Sequence, residues 1–186
     1  MVLRTKRLFL REMEPSDFAD LAEILQDPKV VYAYEHTFSD ADVWEWLERQ
    51  RRRYREDGFG LWAAVLKQTG EMIGQAGLTL QPCEGEQVLE IGYLFKERHW
   101  HRGYAREAAQ ACKEYAFTQL HAQQVCSIIK ADNEPSKRVA QSIGMKPVKT
   151  FTARYYHGDM LHILYRISHR EYQGSRDTFH PGEIVL

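Results

Sequence analysis

One segment, Val88 to Ala116, limits the possible folds more than any other part of the chain. It reads VLEIGYLF, then KERHWH, then RGYAREAAQACKEYA: a run of strand-forming residues, a charged loop and an alanine-rich helical pattern. Backbone N–H groups at the start of a helix lack partners, and the helix dipole makes that end positive. Gly103 lets an anion approach the backbone closely, because glycine has no Cβ. The segment therefore predicts a strand–turn–helix unit that binds phosphate.

The periodicity of the first half predicts a strand, two helices and three further strands. Ser39 and Asp42 form a capping-box pair at the start of the second helix. A hairpin follows, then a loop at residues 81–87, and the third strand of this group at residues 88–95.

The second half predicts a helix at residues 105–119, a strand at 125–131, a helix at 133–143 and a final hairpin turning at 157–159. The element order is β-α-α-β-β-β-α-β-α-β-β, with a single β-α-β crossover. This order predicts an α+β (mixed α/β) fold with one sheet that carries helices.

The length of the chain predicts one domain. Its 186 residues, 44% of them hydrophobic, suffice for one sizeable core. We assign residues 1–172 to this domain and expect residues 173–186 to form a polar tail, either flexible or covering an edge. No stretch approaches the roughly 20 apolar residues of a membrane span, and the start lacks an apolar leader segment. We therefore expect a cytoplasmic protein.

Charge excludes two classes of partner. The formal net charge of −1 gives no field that would attract nucleic acid or an anionic membrane. The basic run RQRRRYR, at residues 49–55, lies among glutamates, and we interpret it as a solvated, salt-bridged helix face. We expect neither a nucleic acid nor a membrane as partner.

Cysteine and histidine positions predict no metal site. The three cysteines are far apart and form neither a CxxC pair nor a disulfide framework: Cys83, Cys112 and Cys126. His99 and His101 flank Trp100, but no third ligand stands at a spacing typical of metal sites.

Two common phosphate-binding motifs do not fit the segment. A dinucleotide-binding Rossmann unit needs G-x-G-x-x-G after the first strand, whereas here one glycine stands in a turn in mid-chain. A Walker A loop needs Gly-Lys-Ser/Thr, which is missing.

Three segments carry a resemblance to a known family: EIGYLF…HWHRGYAREA, ADNEPSKRVAQSIGMKPV and HGDMLHILYRISHREY. Together they resemble the GNAT N-acetyltransferases, specifically the RimJ/RimL branch, over essentially the whole chain. The loop of that branch often reads Tyr-Trp-Gly-Lys-Gly-Tyr-Ala-x-Glu-Ala. The wider pattern, Gln/Arg-x-x-Gly-x-Gly/Ala, is met at Gly103 and Ala105 but has Trp100 at its first position. The resemblance implies a mostly antiparallel sheet of about seven strands, helices on both faces, and a parallel pair splayed at the cofactor site.

The resemblance implies acetyl-coenzyme A as the phosphate-containing ligand. The helix-start loop would hold its pyrophosphate through residues Trp100, His101, Arg102, Gly103, Tyr104 and Ala105. The strand before the loop would pair with the pantetheine arm through Gly92, Tyr93, Leu94 and Phe95. Asn133 and Ser136 would contact this arm from the far side of the gap.

Acetyl transfer to an amine needs a base for the ammonium and a donor for the oxyanion. The resemblance places Glu90 where histone-type members have a catalytic glutamate. The alternative is an outward-facing strand residue paired with a lysine or arginine, because the sequence does not fix the register. A backbone N–H near Gly92 or Tyr93 would be the oxyanion donor.

The departing thiolate also needs a proton. Many members of the family use a tyrosine seven residues after the helix asparagine, but this position is Ala140 here. The resemblance makes Ser136 the candidate acid, unless it only caps the helix. Tyr165 is a second candidate, with core packing as the alternative.

The first two helices and the last hairpin form the acceptor site in this family. The candidate acceptor-binding residues there are Tyr32, Tyr34, Glu35 and Tyr155. Glu35 would attract a cationic amine, although solvent exposure explains it equally well. Relatives acetylate protein N-terminal amines or small amines such as polyamines, and the resemblance also allows a homodimer.

The leading hypothesis is thus an N-acetyltransferase that uses acetyl-coenzyme A in a direct ternary complex. The alternative is a non-catalytic acyl-coenzyme A-binding module that senses or regulates. Such a module would keep the loop but need neither Glu90 nor Ser136, so the presence of both favours an enzyme.

Overall fold

The computed structural model describes residues 2–155 and 158–177. The strands are Leu3–Arg4 (β1), Leu8–Arg11 (β2), Leu61–Leu66 (β3), Met72–Cys83 (β4), Glu86–Phe95 (β5), Gln124–Lys130 (β6), Lys146–Tyr155 (β7) and Gly158–Ser168 (β8). The helices are Phe18–Leu25 (α1), Asp40–Glu56 (α2), Tyr104–Thr118 (α3), Glu134–Ser142 (α4) and His169–Asp177 (α5).

The strands form one sheet of order β1-β2-β3-β4-β5-β6-β8-β7. All neighbours are antiparallel except β5 and β6, which are parallel and connected through α3. The predicted α+β fold with a single mixed sheet is confirmed. The sheet has eight strands rather than about seven, because the two-residue β1 is too short to show a periodic pattern.

Helices cover both faces of the sheet. On one face, Ile91 and Phe95 of β5 pack with Ala108 and Cys112 of α3. On the other face, Leu94 packs against the core that α1 and α2 form with the first strands. Side chains alternate between the two faces along a strand, so Glu90, four residues before Leu94, lies on the same α1/α2 face.

The parallel pair is splayed. β4 and β5 share ten paired positions, whereas β5 and β6 share one, Glu90 with Cys126. The strands diverge from that point towards their carboxyl ends, where α3 and α4 begin. This geometry is the one that the family resemblance implies.

The predicted loop at residues 81–87 is wrong. β4 continues to Cys83 and β5 begins at Glu86, so only Glu84 and Gly85 form the turn. Pro82 favours a loop in the sequence, because proline is rare in the interior of a sheet. Here it lies beyond the end of β3, where no strand of the described residues pairs with that edge of β4, so no N–H is needed.

The final hairpin and the end of the described chain also differ from the sequence analysis. Gly158 and Asp159, expected in a turn, pair with Tyr155 and Arg154 as the start of β8, while His157 lies outside the described residues. α5 extends through Asp177, so the first residues of the expected tail are helical. Residues 178–186 lie outside the described part of the chain.

Candidate active site

The loop between β5 and α3 contains two residues in the left-handed region. His101 has φ 59° and Gly103, which immediately precedes α3, has φ 77°. In the described chain, the backbone N–H groups of residues 101–105 find no acceptor. They point from the positive end of a fifteen-residue helix, which is the arrangement that binds a phosphate anion.

Arg7 fixes this loop from the start of β2. Its Nη1 donates to the carbonyl of Arg102 at 2.8 Å, and its Nε donates to Glu107 Oε2 at 2.6 Å. The guanidinium also lies 4.3 Å above the ring of Tyr104. Thr5 and the backbone of Arg7 donate to Glu107 as well, and against the effect of burial these bonds lower its pKa. Sequence analysis missed Arg7 because no motif connects it with the loop.

Trp100 ties the loop to the end of β5. Its indole N–H donates to the carbonyl of Phe95 at 2.7 Å, and its ring packs against both cores. Trp100, which stands where the wider pattern has Gln or Arg, therefore positions the loop by bonding to β5 and packing against the two cores.

Glu90 bridges the two splayed strands. Its Oε1 accepts a hydrogen bond from the backbone N–H of Ile128 in β6 at 3.1 Å, and its Oε2 accepts one from the hydroxyl of Thr79 in β4 at 3.5 Å. Thr79 in turn accepts from the amide of Gln81 at 3.1 Å, so its single proton is directed to Glu90. The outward-facing ion pair, the alternative interpretation of Glu90, is not found among the described residues.

Burial raises the pKa of Glu90 from 4.5 to about 7, against the lowering effect of the bonds from Ile128 and Thr79. The side chain is nevertheless partly exposed. A carboxylate with a pKa near neutrality, reachable from outside and held by two donors, is suited to accept a proton at physiological pH.

The raised pKa predicts that Glu90 makes stability depend on pH. The folded state holds the proton more tightly than the unfolded chain, so stability falls as pH rises from 4.5 to about 7. We expect a loss of about 1–3 kcal/mol from this residue, at about 1.4 kcal/mol for each pH unit. Urea unfolding of the wild type and Glu90→Gln at pH 5 and pH 8 measures it. The variant should lack this component, and an equal pH dependence in both proteins would contradict the raised pKa.

A second bridge crosses the gap on the opposite face. The hydroxyl of Ser127 in β6 is buried and donates to the carbonyl of Ile91 in β5 at 2.9 Å. Apart from the pairing of Glu90 with Cys126, no backbone pairing joins β5 to β6, both of which are fully described. Residues 92–95 therefore present a strand edge towards a gap. These are the residues that the family resemblance pairs with the pantetheine arm: Gly92, Tyr93, Leu94 and Phe95.

The start of α4 forms the far side of the gap. Asn133 is the N-cap, and its Oδ1 accepts the backbone N–H of Ser136 at 3.1 Å. Ser136 is thus not the cap, and its hydroxyl bonds to no other residue in the described ranges. The hydroxyl of Tyr93 reaches across from β5 and donates to the carbonyl of Ser136 at 3.0 Å. Tyr165 is buried in β8 opposite Ser127.

The predicted acceptor residues lie in different environments. Tyr32 is 39% exposed, whereas Tyr34 packs edge-on against Phe38 and Trp46 in the core of the α1/α2 face. Glu35 pairs with Lys130 at 2.7 Å, so its charge is already compensated. The side chain of Tyr155 lies outside the described part of the structure.

The two histidines beside Trp100 do not form a metal site with other described residues. His99 is buried and its Nε2 lies 3.3 Å from Glu71, while His101 adopts a left-handed conformation in the loop. Across residues 2–155 and 158–177 no group of three or more His, Cys, Asp or Glu side chains is placed to bind a metal. In the same ranges no helix is long and apolar enough to span a membrane.

Comparison with known proteins gives consistent matches over most of the chain. The Acetyltransferase (GNAT) domain family model matches residues 7–146. YkkB, an uncharacterized protein of Bacillus subtilis, is 41% identical over 149 residues, which are 80% of this chain and 87% of YkkB. The uncharacterized N-acetyltransferase YnaD of Bacillus subtilis is 31% identical over 147 residues, covering 78% of this chain and 83% of YnaD.

A solved structure has the same architecture. An acetyltransferase (GNAT family) from Bacillus anthracis matches with a TM-score of 0.77 at 24% identity, covering 91% of this chain and 99% of that one. At this identity the match supports the fold alone.

Proposed function

Because the chain belongs to the GNAT acetyltransferase family, we propose that it transfers the acetyl group of acetyl-coenzyme A to a primary amine in a direct ternary complex. The observation that carries this proposal is Glu90, a partly exposed carboxylate at the point where β5 and β6 separate. Its pKa of about 7 allows it to take a proton from the amine at neutral pH.

The cofactor would lie along the elements described above. The free N–H groups of residues 101–105 would hold the pyrophosphate, and the open edge of β5 would pair with the pantetheine arm. Asn133 and Ser136, at the start of α4, would contact this arm from the other side. What supports this placement is that all three elements border the same gap.

The residues around the gap meet the three requirements of the reaction. Acetyl-coenzyme A supplies the acetyl group as a thioester. Glu90 removes a proton from the ammonium so that the nitrogen can attack. A backbone N–H near Gly92 or Tyr93 stabilises the negative charge on the carbonyl oxygen. Ser136, whose hydroxyl bonds to no other described residue, would donate its proton to the departing sulfur and regain one from the proton that the nitrogen releases as the amide forms. Tyr165 is the second candidate for this role.

A thiol-release assay tests the proposal. The protein is incubated with acetyl-coenzyme A and a panel of peptide N-termini, polyamines, amino acids and amino sugars, and free coenzyme A is measured. We expect amine-dependent release with at least one class. Binding of acetyl-coenzyme A without turnover on any amine would favour the non-catalytic module instead.

The substitution Ser136→Ala tests whether Ser136 is the general acid that protonates the departing sulfur. We expect kcat to fall by about 10²-fold, in the range typical of general acid catalysis, because the thiolate would leave without a proton. Steady-state kinetics with saturating acetyl-coenzyme A measures this effect. Ser142→Ala, at the other end of α4, is the matched control, since among the described residues that hydroxyl bonds only to the carbonyl of Val139. An unchanged kcat for Ser136→Ala, with a loss in Tyr165→Phe, would transfer the role to Tyr165.

A further inference from the structure

The basic run on α2 is not a uniform solvated face. Arg51 does form the expected surface pair, with Glu48 at 2.6 Å. Arg49 instead lies 4.9 Å above the ring of Trp46, and Nη1 of Arg53 donates to Gln50 Oε1 at 3.2 Å. Two arginines one turn apart therefore lie on the flank of α2 that faces the sheet.

The contacts of α2 place Arg53 near the proposed base. Gln50 is fully buried and also accepts the backbone N–H of Leu61, the first residue of β3. Leu61, at the start of β3, pairs with Gly77 of β4. The pair Thr79 with Glu90 is two rows further along β4 and therefore lies just beyond this end of β3. The Cβ of Arg53 lies beside Gly60 at this end, 3.4 Å from where a Cβ on that glycine would stand. The charges of Arg53 and Glu90 accordingly influence one another.

The charge of Arg53 is not compensated by an ion pair. Within residues 2–155 and 158–177, neither Arg49 nor Arg53 forms an ion pair with a carboxylate, and Arg53 uses one of its five N–H donors. Like charges four residues apart on a helix destabilise each other. Burial lowers the pKa of Arg53 and the neighbouring charge of Arg49 adds to this effect, against the opposing effect of Asp57 and Glu90. A bound anion would satisfy the free donors and remove the repulsion.

We propose that Arg53 binds an anionic group of the acceptor, so that the substrate class is a primary amine that carries a carboxylate, such as an amino acid. A guanidinium binds a carboxylate through two parallel hydrogen bonds, and Glu90 receives the amine at the other end of the same molecule. A polyamine has no such group and would place its second cation against Arg53. This inference rests on the proposed function and names the acceptor of that same site.

The experiment compares free amino acids with their C-terminal amides, which present the same amine without the negative charge, and with spermidine. For the wild type we expect kcat/KM to favour the carboxylate on the order of 10- to 100-fold, the range for a hydrogen bond to a charged group. In Arg53→Gln the ratio should fall to about one, mainly through KM. Arg52→Gln, at the exposed neighbouring position, is the matched control and should keep the ratio of the wild type.

Two results would overturn the inference while leaving the acetyltransferase proposal intact: faster turnover of amides or spermidine by the wild type, or an unchanged ratio in Arg53→Gln. If no amine is turned over, the proposed function fails and a binding measurement decides the inference separately. Calorimetric titration of the amino acids into the protein with coenzyme A should show binding that Arg53→Gln weakens. Equal binding by both proteins, or binding by neither, would overturn it.

Discussion

Glu90→Gln is expected to lower kcat by about 10²- to 10⁴-fold, the range that positioned acid–base groups contribute. Glutamine has the same shape and can still accept the N–H of Ile128, so the bridge between β5 and β6 is retained. It cannot accept a proton from an ammonium at neutral pH. The loss should therefore appear in kcat, with little change in the affinity for acetyl-coenzyme A. Steady-state thiol release under saturating conditions measures it.

Glu86→Gln is the control for this substitution. Glu86 is exposed at the start of the same strand and, four residues before Glu90, belongs to the same face of β5, but it lies away from the gap. It should keep the activity of the wild type. If Glu90→Gln retained at least about a third of the wild-type kcat, Glu90 would not be the base.

Gly103→Ala is expected to weaken the binding of coenzyme A by about tenfold or more. Gly103 has φ 77°, a conformation that costs an L-residue roughly 1–2 kcal/mol. A Cβ there would have ordinary contact with Arg7, at 3.5 Å from Nη2, so the protein itself can accommodate it. The expected loss instead arises at the anion, which must approach the N–H groups of residues 101–105 closely. Isothermal titration with coenzyme A measures the change.

Gly58→Ala separates loop geometry from general strain. Gly58 has φ 79°, close to that of Gly103, with open space around it in the connection between α2 and β3. Both variants should lose similar stability, but only Gly103→Ala should lose affinity. If both variants bound coenzyme A like the wild type, the loop would not be the pyrophosphate site.

The strand, turn and helix of the proposed cofactor site are predictable from the sequence because their signals are local. A strand, a turn with Gly103 and a helix are adjacent in the chain, and the N-cap at Ser39 follows from its neighbour Asp42. The splayed pair and the position of Glu90 within it came from the family resemblance. The register of β5, which decides the face of Glu90, depends on pairing with β4 and β6 and is not encoded locally.

The remaining features depend on contacts between distant residues. Arg7 is separated from the loop by about a hundred positions, and only folding brings it to Glu107 and Arg102. The spacing of the arginine run on α2 predicts a single surface, because spacing alone does not show that Arg53 bonds to the buried Gln50 while Arg51 pairs with Glu48. In both cases the partner, rather than the residue type, determines the role.

The role of Glu90 as the base is tested by the pH dependence of kcat, measured with acetyl-coenzyme A and amine both saturating. For the wild type we expect activity to rise with pH through an apparent pKa of about 7, because Glu90 must be ionised to accept the proton. Glu90→Gln should be slow at every pH and should lack this rise. A wild type whose kcat does not change between pH 5.5 and pH 8.5, or a Glu90→Gln variant that keeps the same rise, would contradict the account.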